Sequence, residues 1–398
     1  MKIISTYIAA LLLIVLLAAC DDDKPSKTEL PIIDYAFVLT SDYTTGSFSL
    51  IDLNSYKTFE NPTPGYVHAD ASVRIFNNIV YIINRAGRDS IQVLDPKKNH
   101  EIVTEFSTGT SSNPQDIAIY RDTSGKNKAY VSVYGNSKLL VVNPETGKKS
   151  GSIDLSSYSA AGMNHPHMCM MHVHENLLFV ALQRLDSSFK VSNYSSVVVI
   201  DAEQDIVIKE IRLSWTENDE TVNALNPYSR FKIAPDYINN SGKELIYISC
   251  PGEFGYFYKE DGGVVAIDPE TLECLPGYLV SESDLNTEIT DFQFGPDQKL
   301  YILTSSSDFR SNLLLYDLQN ESVSKTILSN KGTNGNLCSL SLHTANLLFV
   351  SDRTATNPGI HIIDISEDPK HLFDGKPLNT GLPPVMVDFN ISPGRNIR

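Results

Sequence analysis

The chain has 398 residues, 41% of them hydrophobic, with 48 acidic against 32 basic side chains and a formal net charge of −16. So acidic a surface excludes nucleic acid as the main partner, because that affinity comes from Lys and Arg neutralising phosphates, and it argues equally against an anionic membrane patch. Its simplest consequence is solubility outside the cytoplasm.

At the N-terminus, Lys2 precedes an apolar run from Tyr7 to Ala19, short of the roughly 20 residues that span a bilayer, and the run ends Leu17-Ala18-Ala19-Cys20. Residues 1–19 read as a signal peptide. The ending resembles the bacterial lipobox, which implies that Cys20 is lipid-modified and heads the mature chain. Residues 20–33 are charged and carry proline, as a flexible acidic tether does. The run Asp21-Asp22-Asp23 is similar both to inner-membrane retention signals of enteric bacteria and to the acidic export signals of Bacteroidetes surface lipoproteins. The expected address is the cell envelope, with the outer membrane favoured and exposure at the cell surface left open.

From residue 34 to 392 one unit recurs seven times. An apolar run closed by Asp or Asn appears at Asp52, Asp95, Asn143, Asp201, Asp268, Asp317 and Asp364, a mean spacing of about 52 residues. Such a side chain can accept hydrogen bonds from nearby backbone and so favours a turn. A preceding segment, YAFVLT, IVYIIN, KAYVSV, LLFVAL, LIYISC, KLYILT or LLFVSD, is rich in β-formers and too short for a stable helix. A first segment stands before all but the initial one: HADASVRI, PQDIAIY, HMCMMHV, RFKIAP, ITDFQFG and LCSLSLH. The last such segment, PPVMVDF (Pro383 to Phe389), has no middle segment after it. The C-terminal strand should therefore complete the N-terminal blade and close a ring. The fold class is all-β, a seven-bladed β-propeller forming one domain, with weaker outer strands such as those around TEFSTG and IKEIRLS.

Chemical motifs are sparse. No nucleophile elbow, phosphate loop, zinc helix or calcium loop is present, so the residues call for no catalytic group, cofactor or metal. Cys169 and Cys338 lie on inner strands three blades apart and are expected as buried free thiols. The cluster from Met163 to His174 suits a soft metal by composition, but an extended strand spreads it over more than 20 Å. Packing is the expected role, with strand alternation placing Met168 and Met170 on one face and Cys169 and Met171 on the other. His165 and His167 could still serve a site where the strand begins.

The strongest functional signal is a shared face. The loops leaving the middle strands and entering the inner ones carry Tyr43, Arg85, Arg88, Tyr134, His165, His167, Arg184, Arg310 and Arg353, and long insertions add Trp215 and Tyr256. Arg beside aromatic rings is the composition of binding hot spots, and these eleven residues form the expected ligand face. Arg85, Arg184 and Arg353 follow their middle strands alike, so ring symmetry is expected to turn all three to one opening, unless Asp186 and Asp352 pair with them.

The stretch AYVSVYGNSKLLVVNPETGK resembles the YVTN repeat of bacterial surface propellers, with Ser132-Val133 in place of Thr-Asn, and LLFVALQRLD with GLPPVMVDF resembles surface lipoproteins of that group. The resemblance implies a lipid-anchored propeller that binds cobalamin, a siderophore or a similar small molecule and serves a TonB-dependent transporter. The alternatives are a propeller enzyme, of lactonase or quinone-dependent dehydrogenase type, and a protein-interaction scaffold.

Overall fold

The computed structural model describes residues 34–61, 67–254, 258–308, 310–330, 336–344 and 346–391. The signal peptide, tether and Cys20, together with Tyr66, Tyr256 and Phe309, lie outside the described residues.

Each Asp or Asn marker makes the turn its chemistry suggests. Asp52, Asp95, Asn143, Asp201, Asp268, Asp317 and Asp364 all accept, through a side-chain oxygen, the backbone N–H two residues on. The turns join antiparallel strands into seven sheets. Blade two, for example, runs Ala71–Phe76, Ile79–Asn84, Ser90–Asp95 and Glu101–Ser107 from the axis outward. The middle strands are covered on both faces, and their recurrent rings at Tyr81, Tyr130, Phe179, Tyr247, Tyr301 and Phe349 are each 3% exposed or less. Exposure rises outward, as in Glu101–Ser107, where one face meets water.

The ring closes as its segment count requires. Tyr35–Ser41 pairs on one side with Gly46–Asp52 and on the other with the C-terminal strand Pro384–Asn390, from Tyr35 opposite Asn390 to Thr40 opposite Pro384. A short hairpin, Ser214–Glu217 with Glu220–Asn223, stands between blades four and five.

One expected alternation fails. In the inner strand of blade four, Met168–His174, the register shifts between Met168 and Met171, so these two share the core toward blade three while Cys169 packs toward blade five. The bulge inserts an unpaired residue and resets the period-two pattern. Packing, with Met168, Cys169 and Met171 all buried, is what the cluster does. Cys169 and Cys338 carry free thiols, but only Cys169 is buried as expected, Cys338 being half-buried where it faces the axial pocket.

Three imidazoles, His100 and His167 buried and His172 half-buried, give the fold a pH signature. Burial lowers His100, His167 and His172 to about 4, helped by Arg74 and His174 beside His172 and by His165 beside His167, and opposed by Asp95 beside His100 and by Asp116 beside His172. All three stay neutral in the folded chain but bind protons in the unfolded one below about 6.5. Their contribution is complete above that pH and is lost as pH falls through about 4. Glu282 works oppositely: burial raises it to about 8, so its contribution is lost as pH rises from about 4.5 toward 8. At about 1.4 kcal/mol per proton and pH unit, the net of roughly two protons near pH 5 predicts a fall of about 3 kcal/mol per unit. Denaturant unfolding at a series of pH values should show maximal stability between about pH 6 and 7; a flat profile from pH 4 to 7 would contradict this.

Candidate ligand pocket on the ring axis

Backbone hydrogen bonds show which loop positions are equivalent. Where each middle strand ends, one residue donates its N–H to the carbonyl of the segment leading into the inner strand: Ser41 to Pro383, Arg85 to Asp70, Tyr134 to Asn113, Gln183 to His167 and Arg353 to Asn336. All five line one pocket of about 580 Å3 on the axis, to which all seven blades contribute.

Of the eleven residues expected on the ligand face, the structure brings four together here: Tyr43, Arg85, Tyr134 and Arg353. Arg85 pairs with Asp70 at 2.5 Å and reaches Gln115 at 3.3 Å. Arg353 is buried, donates to the Ser41 carbonyl at 3.0 Å and lies 4.2 Å from the ring centroid of Tyr43, which is 79% exposed. No ion pair joins Arg353 to a carboxylate among the described residues, and Asp352 turns instead to His361 and Thr354.

Arg184 departs from the expected symmetry. It sits one position beyond the place of Arg85, which Gln183 occupies, and a one-residue step turns a side chain to the opposite face. Its guanidinium clamps a loop, donating to the carbonyls of Tyr158, Tyr194 and Ser159 and stacking on Tyr194. Asp186 likewise serves its own loop, accepting from Ser188 and Lys190. Arg88 pairs in two places with Glu105 of its outer strand, and Arg310 pairs with Asp308. Trp215 is 8% exposed and packs edge-on against Tyr278, a core role. His165 and His167 meet edge to face, ring centroids 4.5 Å apart, beside the pocket, with His167 against Tyr134. Among the described residues no three His, Cys, Asp or Glu side chains gather to hold a metal ion.

A charged ring on the inner strands was missed in the sequence. Arg74 forms a two-pronged pair with Asp116 at 2.7 and 2.6 Å. Arg230, from blade five, crosses the axis to the Val73 carbonyl of blade two and to Met386 and Asp388 of blade one. Asp116, Asp291 and Asp388 repeat one device, each accepting the next residue's N–H and an inner-strand N–H of the neighbouring blade, at Met171, Leu340 and Ile75. Lys232 joins them without an ion pair among the described residues; burial, with Arg230 and Arg74 nearby, lowers its pKa against the pull of Asp291. The only sequence signal was the recurrence of Asp before an apolar residue in PQDIAIY, ITDFQFG and PPVMVDF.

This architecture defines the class, a seven-bladed β-propeller with an axial pocket, and comparison with solved structures agrees. A candidate 6-phosphogluconolactonase from Bacteroides fragilis superposes with a TM-score of 0.55 at 14% identity, covering 90% of this chain and 98% of the other. The periplasmic gluconolactonase of Pseudomonas aeruginosa gives 0.52 at 13%, covering 89% and 99%, and a dihydro-haem d1 dehydrogenase gives 0.52 at 12%, covering 90% and 75%. At such identities the likeness is one of fold, which hosts many chemistries. No protein-family profile and no curated protein matches the sequence.

Proposed function

We propose that this chain is a lipid-anchored, extracytoplasmic YVTN-type propeller whose axial pocket binds a bulky, partly anionic small molecule, a corrinoid, ferric siderophore or similar, and passes it to a TonB-dependent outer-membrane transporter. The observation that carries the reading is the pocket's charge. In a chain of net charge −16, the charged residues lining it are Arg85, Arg230 and Arg353 against only Asp70 and Asp291. A locally positive concavity in an acidic protein concentrates anions, and Arg353, which pairs with no carboxylate among the described residues, is its available donor. Tyr43, Tyr134 and Tyr228 supply rigid contact area around it.

Titration calorimetry with cyanocobalamin and a set of ferric siderophores tests this. A bound member of that set should lose about 1.5–3 kcal/mol, roughly 10- to 150-fold, with Arg353→Ala, and less with Arg353→Lys, which keeps the charge. Wild-type protein that binds none of them would contradict the reading. The names of the structural neighbours raise a hydrolase, so the same protein is assayed with 6-phosphogluconolactone and gluconolactone; saturable turnover would replace the binding role with a catalytic one.

The anchor rests on Leu17-Ala18-Ala19-Cys20. Acyl chains contribute about 0.8 kcal/mol of membrane affinity per buried CH2. Cys20→Ser should move the chain from the membrane to the soluble fraction and abolish palmitate labelling, whereas membrane retention of the variant would remove the anchor from the account.

A further inference from the structure

We propose that a side pocket next to the axial one is a second subsite of the same ligand, taking a planar aromatic ring that bears a hydrogen-bond donor. This rests on the reading of the axial pocket as the site for the ligand's anionic part. The side pocket has a volume of about 240 Å3 and shares Tyr134, Gln183 and Tyr228 with its neighbour, so one molecule can occupy both.

Its walls are aromatic. The rings of Tyr228 and Phe254 lie 5.3 Å apart at 35°, while Phe189 lies in line with His167 and Tyr134, at centroid distances of 6.4 and 4.7 Å along that row. Phe189 is 67% exposed and Tyr228 43%, large apolar surfaces that a stacked ring would remove from water. Leu185 and Val191, which pair across the base of the Phe189 loop, also line the pocket.

The polar lining specifies the ring's edge. Asn226 is 8% exposed, and its Nδ2 donates to the Gly252 carbonyl at 3.0 Å, which fixes the orientation of the amide. The remaining oxygen, Oδ1, is closed off from solvent and has no hydrogen-bond partner among the described residues, in a residue that lines the pocket. An orphaned buried acceptor is unfavourable, and a ligand O–H or N–H admitted by a small shift of the Asn226 amide would recover it. Lys190 and Glu253 contribute one charge of each sign, so the subsite selects a neutral ring and leaves the acid to Arg353.

The wall is also held ready. The Asp186 carboxylate accepts from the N–H groups of Ser188 and Lys190 at 2.7 and 3.0 Å, and the Phe189 N–H donates to the Asp186 carbonyl at 3.0 Å. A loop fixed by its own hydrogen bonds needs little further ordering on binding.

The probes are 3-hydroxybenzoate, benzoate and acetate, titrated by calorimetry into wild-type, Phe189→Ala and Arg353→Ala proteins. The expected order is 3-hydroxybenzoate tighter than benzoate by about fivefold or more, and benzoate tighter than acetate. Phe189→Ala should weaken both aromatic acids at least fivefold without lowering Tm, since the ring is exposed, and should leave acetate unchanged; Arg353→Ala should weaken acetate, whose carboxylate reports the axial pocket alone. Equal affinity for the two aromatic acids, or no effect of Phe189→Ala, overturns the subsite. If these probes fail to bind while a corrinoid or siderophore binds, the subsite is wrong and the axial reading stands. If nothing binds, both fall.

Discussion

Ending the chain at Thr380 should abolish the cooperative unfolding transition at the wild-type Tm. The deletion removes Pro384–Asn390, the inner strand of blade one, and strips its whole hydrogen-bonded ladder from Tyr35–Ser41. It also removes Asp388, which accepts from the Ile75 N–H and pairs with Arg230, and the Val387 carbonyl that accepts from Ser341. The loss therefore reaches blades one, two, five and seven. An opened ring exposes inner-strand edges that pair readily with other chains. Circular dichroism should show a transition at least about 10 °C lower, or aggregation before one. A truncated chain melting with the wild type would refute closure by this strand.

Replacing Asp116 by Ala should be the most destabilising single change on the inner strands. Its carboxylate, 1% exposed, holds Arg74 in two places and accepts the N–H groups of Ile117 and Met171, the latter in the next blade. Removing it leaves a guanidinium and two N–H donors without this partner near the axis. Breaking a buried pair from one side costs about 3–5 kcal/mol. Arg74→Met should cost less, because the carboxylate keeps both backbone donors, and the double variant should lose less than the two single losses added. A loss under about 1 kcal/mol for Asp116→Ala, measured by urea unfolding, would show that this tie does not hold the blades together.

What the sequence disclosed follows the range of the interactions. The turns at the seven Asp or Asn markers are local, a side chain meeting an N–H two residues away, so they recur visibly and set the blade count. Closure was legible because Pro383 to Phe389 is the one first segment without a middle segment after it. The pocket was legible only in part. Tyr43, Arg85, Tyr134 and Arg353 occupy it, but Arg184 lies one residue out of register and turns to three carbonyls, a difference too small to see without knowing where the strand stops. The bulge between Met168 and Met171 hid the true faces of that strand in the same way. The charged ring was illegible for another reason. Arg230 meets Val73, Met386 and Asp388, more than 150 positions away, and no local pattern announces a side chain that crosses the axis.

The central claim is that the positive axial pocket, and no other surface, receives the ligand. Its most direct test is a crystal structure with the tightest calorimetric partner bound. The account predicts density for an anionic group within hydrogen-bonding distance of Arg353, with the rest of the molecule among Tyr43, Tyr134 and Tyr228. Density for that molecule on the outer strands or the opposite face of the ring, with the axial pocket occupied only by water, would contradict it.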